Sequence, residues 1–188
     1  MVAMPNEIIR REIFKLMANL SLSGEFDVKM ISNATIEQLV YSIAHYELLD
    51  EQMNLAVLCI LHSMSCKDEQ VRVSLLNMDL MIYLCHYIKN KNDENTFPLA
   101  VATISNLTFR SGKIQSLPTK QSIEKVLELS WKIAADTGRE SPIILSCLQL
   151  FSNLISCEIE NFCRSLVDEF IKLLGKRICM LPGSKLKH

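Results

Sequence analysis

Leu16-Met-Ala-Asn-Leu-Ser21, Ile104-Ser-Asn-Leu-Thr108 and Phe151-Ser-Asn-Leu-Ile155 say nearly the same thing at three places in the chain. Each closes an apolar run of helical period, and each carries Asn in the same place. A weaker fourth copy, Ile60-Leu-His-Ser-Met64, has His where the others have Asn. The marked positions, Asn19, His62, Asn106 and Asn153, are 43, 44 and 47 residues apart. A recurring period of this size is the signature of stacked helical repeats, whose binding surface is built by repetition. No single active site is then expected.

Working outward from the marked positions, the spacing of Ile9, Ile13, Leu16, Met17 and Leu20 predicts a helix from about Asn6 to Leu22, ended by Gly24. Thr35-Ile-Glu-Gln38 offers a capping box for a second helix, with Ile36, Leu39, Val40, Ile43 and Ala44 on one side. Asp50 caps a third that reaches about Ser65. That helix is apolar nearly all round, as expected of a layer covered by neighbours on several sides. Asp68 to Leu76 and Leu80 to Ile88 follow as shorter helices, then the polar loop Lys89 to Asn95. Pro98 opens the next long helix at its first turn, where a missing N–H costs least. Another cycle follows: a loop around Arg110 to Lys113, a helix from about Lys120 to Ala135, a loop at Asp136 to Glu140, and a long helix from Ser141-Pro142 to about Ser156. Glu158 to Ile178 is expected to add one or two more helices.

The chain thus reads as a single domain over residues 1–182, with repeats at 24–66, 67–110 and 111–157 and a polar tail at 183–188. Part-repeats at 1–23 and 158–182 flank it. Starting and stopping out of phase with its own repeat, and with Ile9, Ile13 and Met17 making a more apolar stripe than a cap needs, it is expected to be a piece of a larger protein.

Composition agrees with an all-α domain. Residues are 49% hydrophobic but only 6% aromatic, so the core must be filled by aliphatic side chains and Met, which suits helix-on-helix packing. With 20 basic and 21 acidic residues there is no long-range pull towards nucleic acid or anionic lipid. The cations Lys172, Lys176, Arg177, Lys185 and Lys187 near the C-terminus read as a solvated helix end and tail. Seven Cys without a C-x-x-C, most within apolar helical patterns, point to reduced, buried thiols and hence to cytoplasm or nucleus. Met1 to Arg11 lacks a signal-peptide core, and no apolar window is long enough for a membrane span. Without a secretory signal, the sequons at Asn19, Asn33 and Asn106 read as coincidence.

A three-helix unit of about 42 residues whose last helix ends in small-x-Asn-Leu resembles the armadillo repeat. The residues that carry the likeness are Ala18-Asn19-Leu20-Ser21, Ser105-Asn106-Leu107-Thr108 and Ser152-Asn153-Leu154, with Ser63 to Ser65 a degraded copy after His62. The resemblance implies a right-handed α-solenoid of ARM/HEAT-like repeats whose third helices line a concave groove. There the Asn carboxamide, both donor and acceptor, holds the backbone of an extended peptide. In the import-receptor branch of that family, Trp stands four residues before the Asn. Here those places hold Lys15, Leu58, Ala102 and Gln149, so basic nuclear-import signals are not the expected ligand. The lone Trp131 is read as core.

The implied peptide groove is Lys15, Asn19, Leu58, His62, Ala102, Asn106, Gln149 and Asn153. On a helical wheel Asn19 and Asn106 fall to one edge of their apolar stripes, which suits a groove wall; the alternative is that each Asn bonds locally to a helix end or loop carbonyl, while His62 reads rather as a satisfied, half-buried structural histidine. Catalytic motifs are absent, and His86 beside Cys85 points to a different helix face, so neither an enzyme nor a metal site is expected. No cofactor is implied. The leading expectation is a scaffold module that binds a partner protein's peptide segment. The alternative is an assembly element that stacks or oligomerises through its end helices. RNA binding is disfavoured by neutral charge and scarce aromatics.

Overall fold

A computed structural model describes residues 7–23, 31–91, 93, 95–109, 125, 126, 128, 142–156 and 172. The chain is all-helical: α1 (Glu7–Ser23), α2 (Asn33–Ala44), α3 (Glu51–Lys67), α4 (Glu69–Asn77), α5 (Leu80–Asn90), α6 (Phe97–Thr108) and α7 (Pro142–Ser156), with a 3₁₀ turn at Tyr46–Leu48. No strand occurs among the described residues, and none of their helices is long and apolar enough to cross a membrane. The expected helix from Lys120 to Ala135, its flanking loops, the segment Glu158 to Ile178 and the tail lie almost wholly outside the described residues.

Helix starts follow local chemistry. Asp50 Oδ1 accepts from Met53 N at 2.8 Å and opens α3, while its other carboxylate oxygen pairs with Arg11 of α1. Asp68 Oδ1 accepts from Gln70 N at 2.7 Å and Val71 N at 3.4 Å, opening α4. Both satisfy N–H groups that a first helical turn leaves without partners. Pro98 stands in the first turn of α6, as its missing N–H predicts. The second helix corrects the expectation: its cap is Ser32, three residues before Thr35, accepting from Thr35 N at 3.2 Å. The 3₁₀ turn that follows is held by the fully buried Asn54, whose Nδ2 donates to Tyr46 O at 3.2 Å and Leu49 O at 3.3 Å.

The four helices that carry the marked residues pack in chain order, α1 on α3, α3 on α6 and α6 on α7. Beneath them α2 packs on α5, and α4 touches α3, α5 and α6. Lying between two neighbours of its own kind, α3 buries Val57, Leu58, Ile60, Leu61 and Met64 completely. In α6 the stripe Ala100, Val101, Ile104 and Leu107 is likewise sealed, and α2 turns Ile36, Leu39, Val40 and Ile43 inward. Burial of a single such aliphatic side chain contributes about 1.5–3 kcal/mol.

The first helix departs from its sequence pattern. Its packed face is Phe14, Ala18 and Ser21, not the richer stripe of Ile9, Ile13, Leu16 and Leu20, which stays 37–60% exposed. At 100° per residue the two faces lie roughly 140° apart. Small Ala18 and Ser21 let α1 approach α3 closely, and Arg11 fixes the approach through Asp50. Among the described helices α1 packs chiefly on α3, and one of its two apolar faces is left exposed.

Candidate interaction surface along the long helices

Three of the long helices, α1, α3 and α6, carry near their ends a hydroxyl bonded back to the carbonyl three residues earlier. Ser21 Oγ donates to Ala18 O, Ser65 Oγ to His62 O and Thr108 Oγ1 to Ser105 O, all at 2.7 Å. Of those carbonyls only Ser105 O is among the last four of its helix, which have no N–H partner within the helix; Ala18 O and His62 O lie further in, so the recurring Ser or Thr is a local back-bond that caps α6 alone. Onto this same turn the following long helix places a polar side chain. Ser63 Oγ donates to Ser21 O at 3.2 Å. Asn106 Nδ2 donates to Ser65 Oγ at 3.0 Å. Asn153 Nδ2 donates to Ser105 O at 2.7 Å and Thr108 Oγ1 at 3.2 Å. The repeating motif therefore makes a strap from each long helix back to the one before it.

The sequence-designated residues are thus divided. Asn153 is only 5% exposed and spends both amide hydrogens on α6, while its Oδ1 accepts from the exposed Gln149 at 3.1 Å. Leu58 is fully buried and has no surface to offer a ligand. Asn106 is half-buried and also lies 3.0 Å from Cys66 Sγ and 3.4 Å from His62 Nδ1. Asn19 is exposed, and Lys15, half-buried, pairs with Glu12 at 3.1 Å. Ala102 and His62 are half-buried. Of the eight, Asn106 and Asn153 act on the neighbouring helix rather than facing outward together. The residues that receive the following helix stand two positions after the marked residue in Ser21, through its carbonyl, and in Thr108, through its hydroxyl, and three after it in Ser65, through its hydroxyl. That regularity is visible in the sequence, but its meaning requires the interface.

Two further groups were not legible as a pair. His62 and Cys66, four residues apart on α3, bring Nε2 and Sγ to 3.8 Å. Burial lowers the His62 pKa from 6.5, favouring the neutral ring. Burial raises that of Cys66, against lowering by the Asn106 hydrogen bond and by the charges of Arg72 and Lys67. Arg72 of α4 also reaches Ser65 O at 3.5 Å and stands 5.7 Å from the centre of the Phe109 ring, closing the end of α3 against the end of α6. Cys59, Cys85 and Cys147 are buried, with the Cys85 thiol pushed up to about 12 by desolvation. Among the described residues no group of three or more His, Cys, Asp or Glu is arranged to hold a metal ion.

No protein-family model, no curated protein and no solved structure matches this chain.

Proposed function

We propose that the chain is a non-enzymatic protein-interaction module, a stack of armadillo-like helical repeats that assembles through the outward face of α1. The observation that carries this reading is the stripe of Ile9, Ile13, Leu16 and Leu20, exposed along one side of a 17-residue helix. Contiguous exposed apolar surface on a folded protein marks an interaction site more often than scattered apolar residues do. The in-order packing of the long helices and the straps between them support a solenoid, in which an end helix naturally presents a face suited to a further helix. Donors that would grip an extended peptide at Asn106 and Asn153 are instead bonded within the fold, which favours assembly over groove binding. Exposure of Asn19 keeps one element of the peptide-groove reading in play near α1.

The test is self-association. Sedimentation of the wild-type chain over a range of concentrations should reveal an oligomer, and Ile9→Lys plus Ile13→Lys should return it to monomer with unchanged helical circular dichroism. A wild-type chain that stays monomeric at the highest concentration reached, or an oligomer indifferent to the double substitution, defeats assembly through this face.

A further inference from the structure

The outward face of α1 is more than apolar; it carries a register. Ile9, Ile13, Leu16 and Leu20 follow one another at intervals of four, three and four residues, the seam spacing of a two-stranded coiled coil. Side chains at that spacing interlock with a second seam of the same spacing. Among the described side chains no other helix exposes one: Tyr41, Val73, Ile82 and Leu145 each stand singly on their helices. The matching surface is therefore the same seam on a second copy. It can be reached without displacing α3, since the packed face of α1 lies roughly 140° away.

The rims of the seam set the direction. In an antiparallel two-fold pair each rim meets the same rim of the partner, whereas in a parallel pair it meets the opposite rim. One rim carries Glu12 and Asn19, both exposed; the other carries Met17, half-buried against the core. Parallel pairing would set the Glu12 carboxylate against the partner's Met17, which has no donor to offer. Antiparallel pairing brings it within about 3 Å, along the axis, of the partner's Asn19. That amide donates, and a carboxylate keeps acceptor capacity beyond the pair that Glu12 makes with Lys15. The same arrangement places an Ile opposite a Leu in every layer. On the basis of assembly through the outward face of α1, we propose that α1 pairs antiparallel with α1 of a second copy, with Ile9 opposite the partner's Leu20, Ile13 opposite the partner's Leu16, and Glu12 beside the partner's Asn19. Four side chains per helix fall short of the about 800 Å² per partner of a standard interface, so the pair is weak and reversible.

Disulfide trapping captures a weak pair. Ile9→Cys and Leu20→Cys variants of the full chain, mixed and mildly oxidised, should become linked between positions 9 and 20, as read from the mass of the joined peptides. Either variant alone should not link, because its two added thiols lie roughly 16 Å apart in the antiparallel pair, beyond the about 7 Å between Cα atoms that a disulfide spans. Wild type treated alike accounts for the native cysteines. Asn19→Lys, opposite Glu12, should tighten self-association by about two- to fivefold in sedimentation, the scale of an exposed ion pair, and Asn19→Glu should weaken it as much. Ile9→Cys linking to itself, or an affinity indifferent to both Asn19 substitutions, overturns the antiparallel register and leaves assembly through α1 standing. An oligomer that Ile9→Lys plus Ile13→Lys abolishes, yet that gives no link between positions 9 and 20, does the same. A wild type that stays monomeric removes the assembly reading itself, and this pairing with it.

Discussion

Helices α1 and α3 are each 17 residues long and each carries a marked residue in its C-terminal part, yet they are buried in opposite ways. In α3 nearly every apolar side chain is sealed between α1 and α6; in α1 the more apolar of two faces is open. The difference lies in the neighbours, not in the pattern. Periodicity states that a helix has an apolar face, whereas burial depends on whether something arrives to cover it. The marked residues follow the same rule. Asn153 and Asn106 each reach the long helix before their own, while Asn19 belongs to the first helix of the row and is exposed.

The largest expected contrast is in core packing. Leu58→Ala, at full burial, should destabilise by about 2–5 kcal/mol, because the site cannot collapse around the missing atoms. Leu16→Ala, at 60% exposure, should stay within about 0.5 kcal/mol in dilute solution. Chemical denaturation of both variants checks the pair. The comparison sharpens if the Leu16→Ala cost grows with protein concentration, since burial of Leu16 in an oligomer would then add to apparent stability. It breaks if Leu16→Ala is as costly as Leu58→Ala at the lowest concentration.

Next comes the polar strap. Asn153→Ala removes two donated hydrogen bonds and leaves Gln149 Nε2 without its acceptor, and should cost about 1–3 kcal/mol. Asn19→Ala, lacking a following contact of that kind, should fall within about 0.5 kcal/mol. Equal costs in thermal denaturation would mean that the ladder's first member has a structural role its exposure does not indicate.

How much of this was legible in the sequence follows from the range of each interaction. Asp50, Asp68 and Pro98 act within one turn, and each marked its helix start correctly. The Ser32 cap was missed because Thr35-Ile-Glu-Gln38 offers a competing local pattern that reads equally well. The recurrence of Asn was plain, but its partner was not: Asn153 bonds to residues 48 and 45 positions earlier, and no local rule reports such a contact. His62 and Cys66 stood at helical spacing throughout, and only the converging rotamers turn spacing into a pair.

The smallest effect concerns pH and again separates an internal helix from an end one. His62, between α3 and α6, has its pKa lowered from 6.5 by desolvation. The unfolded chain therefore binds the proton first as pH falls, so stability should be full above the unfolded value and decline through the window below it, down to the lower folded pKa. The slope contributed by a single group cannot exceed about 1.4 kcal/mol per pH unit. Denaturation midpoints followed from neutral pH downward should show this decline in the wild type, and His62→Gln, which keeps a polar side chain but cannot titrate, should flatten that part of the curve. A decline of the same size in the glutamine variant would assign it to other groups and detach His62 from the energetics of the α3–α6 interface. Its presence only in the wild type would show that the one position where the ladder departs from Asn is where the fold becomes sensitive to protons.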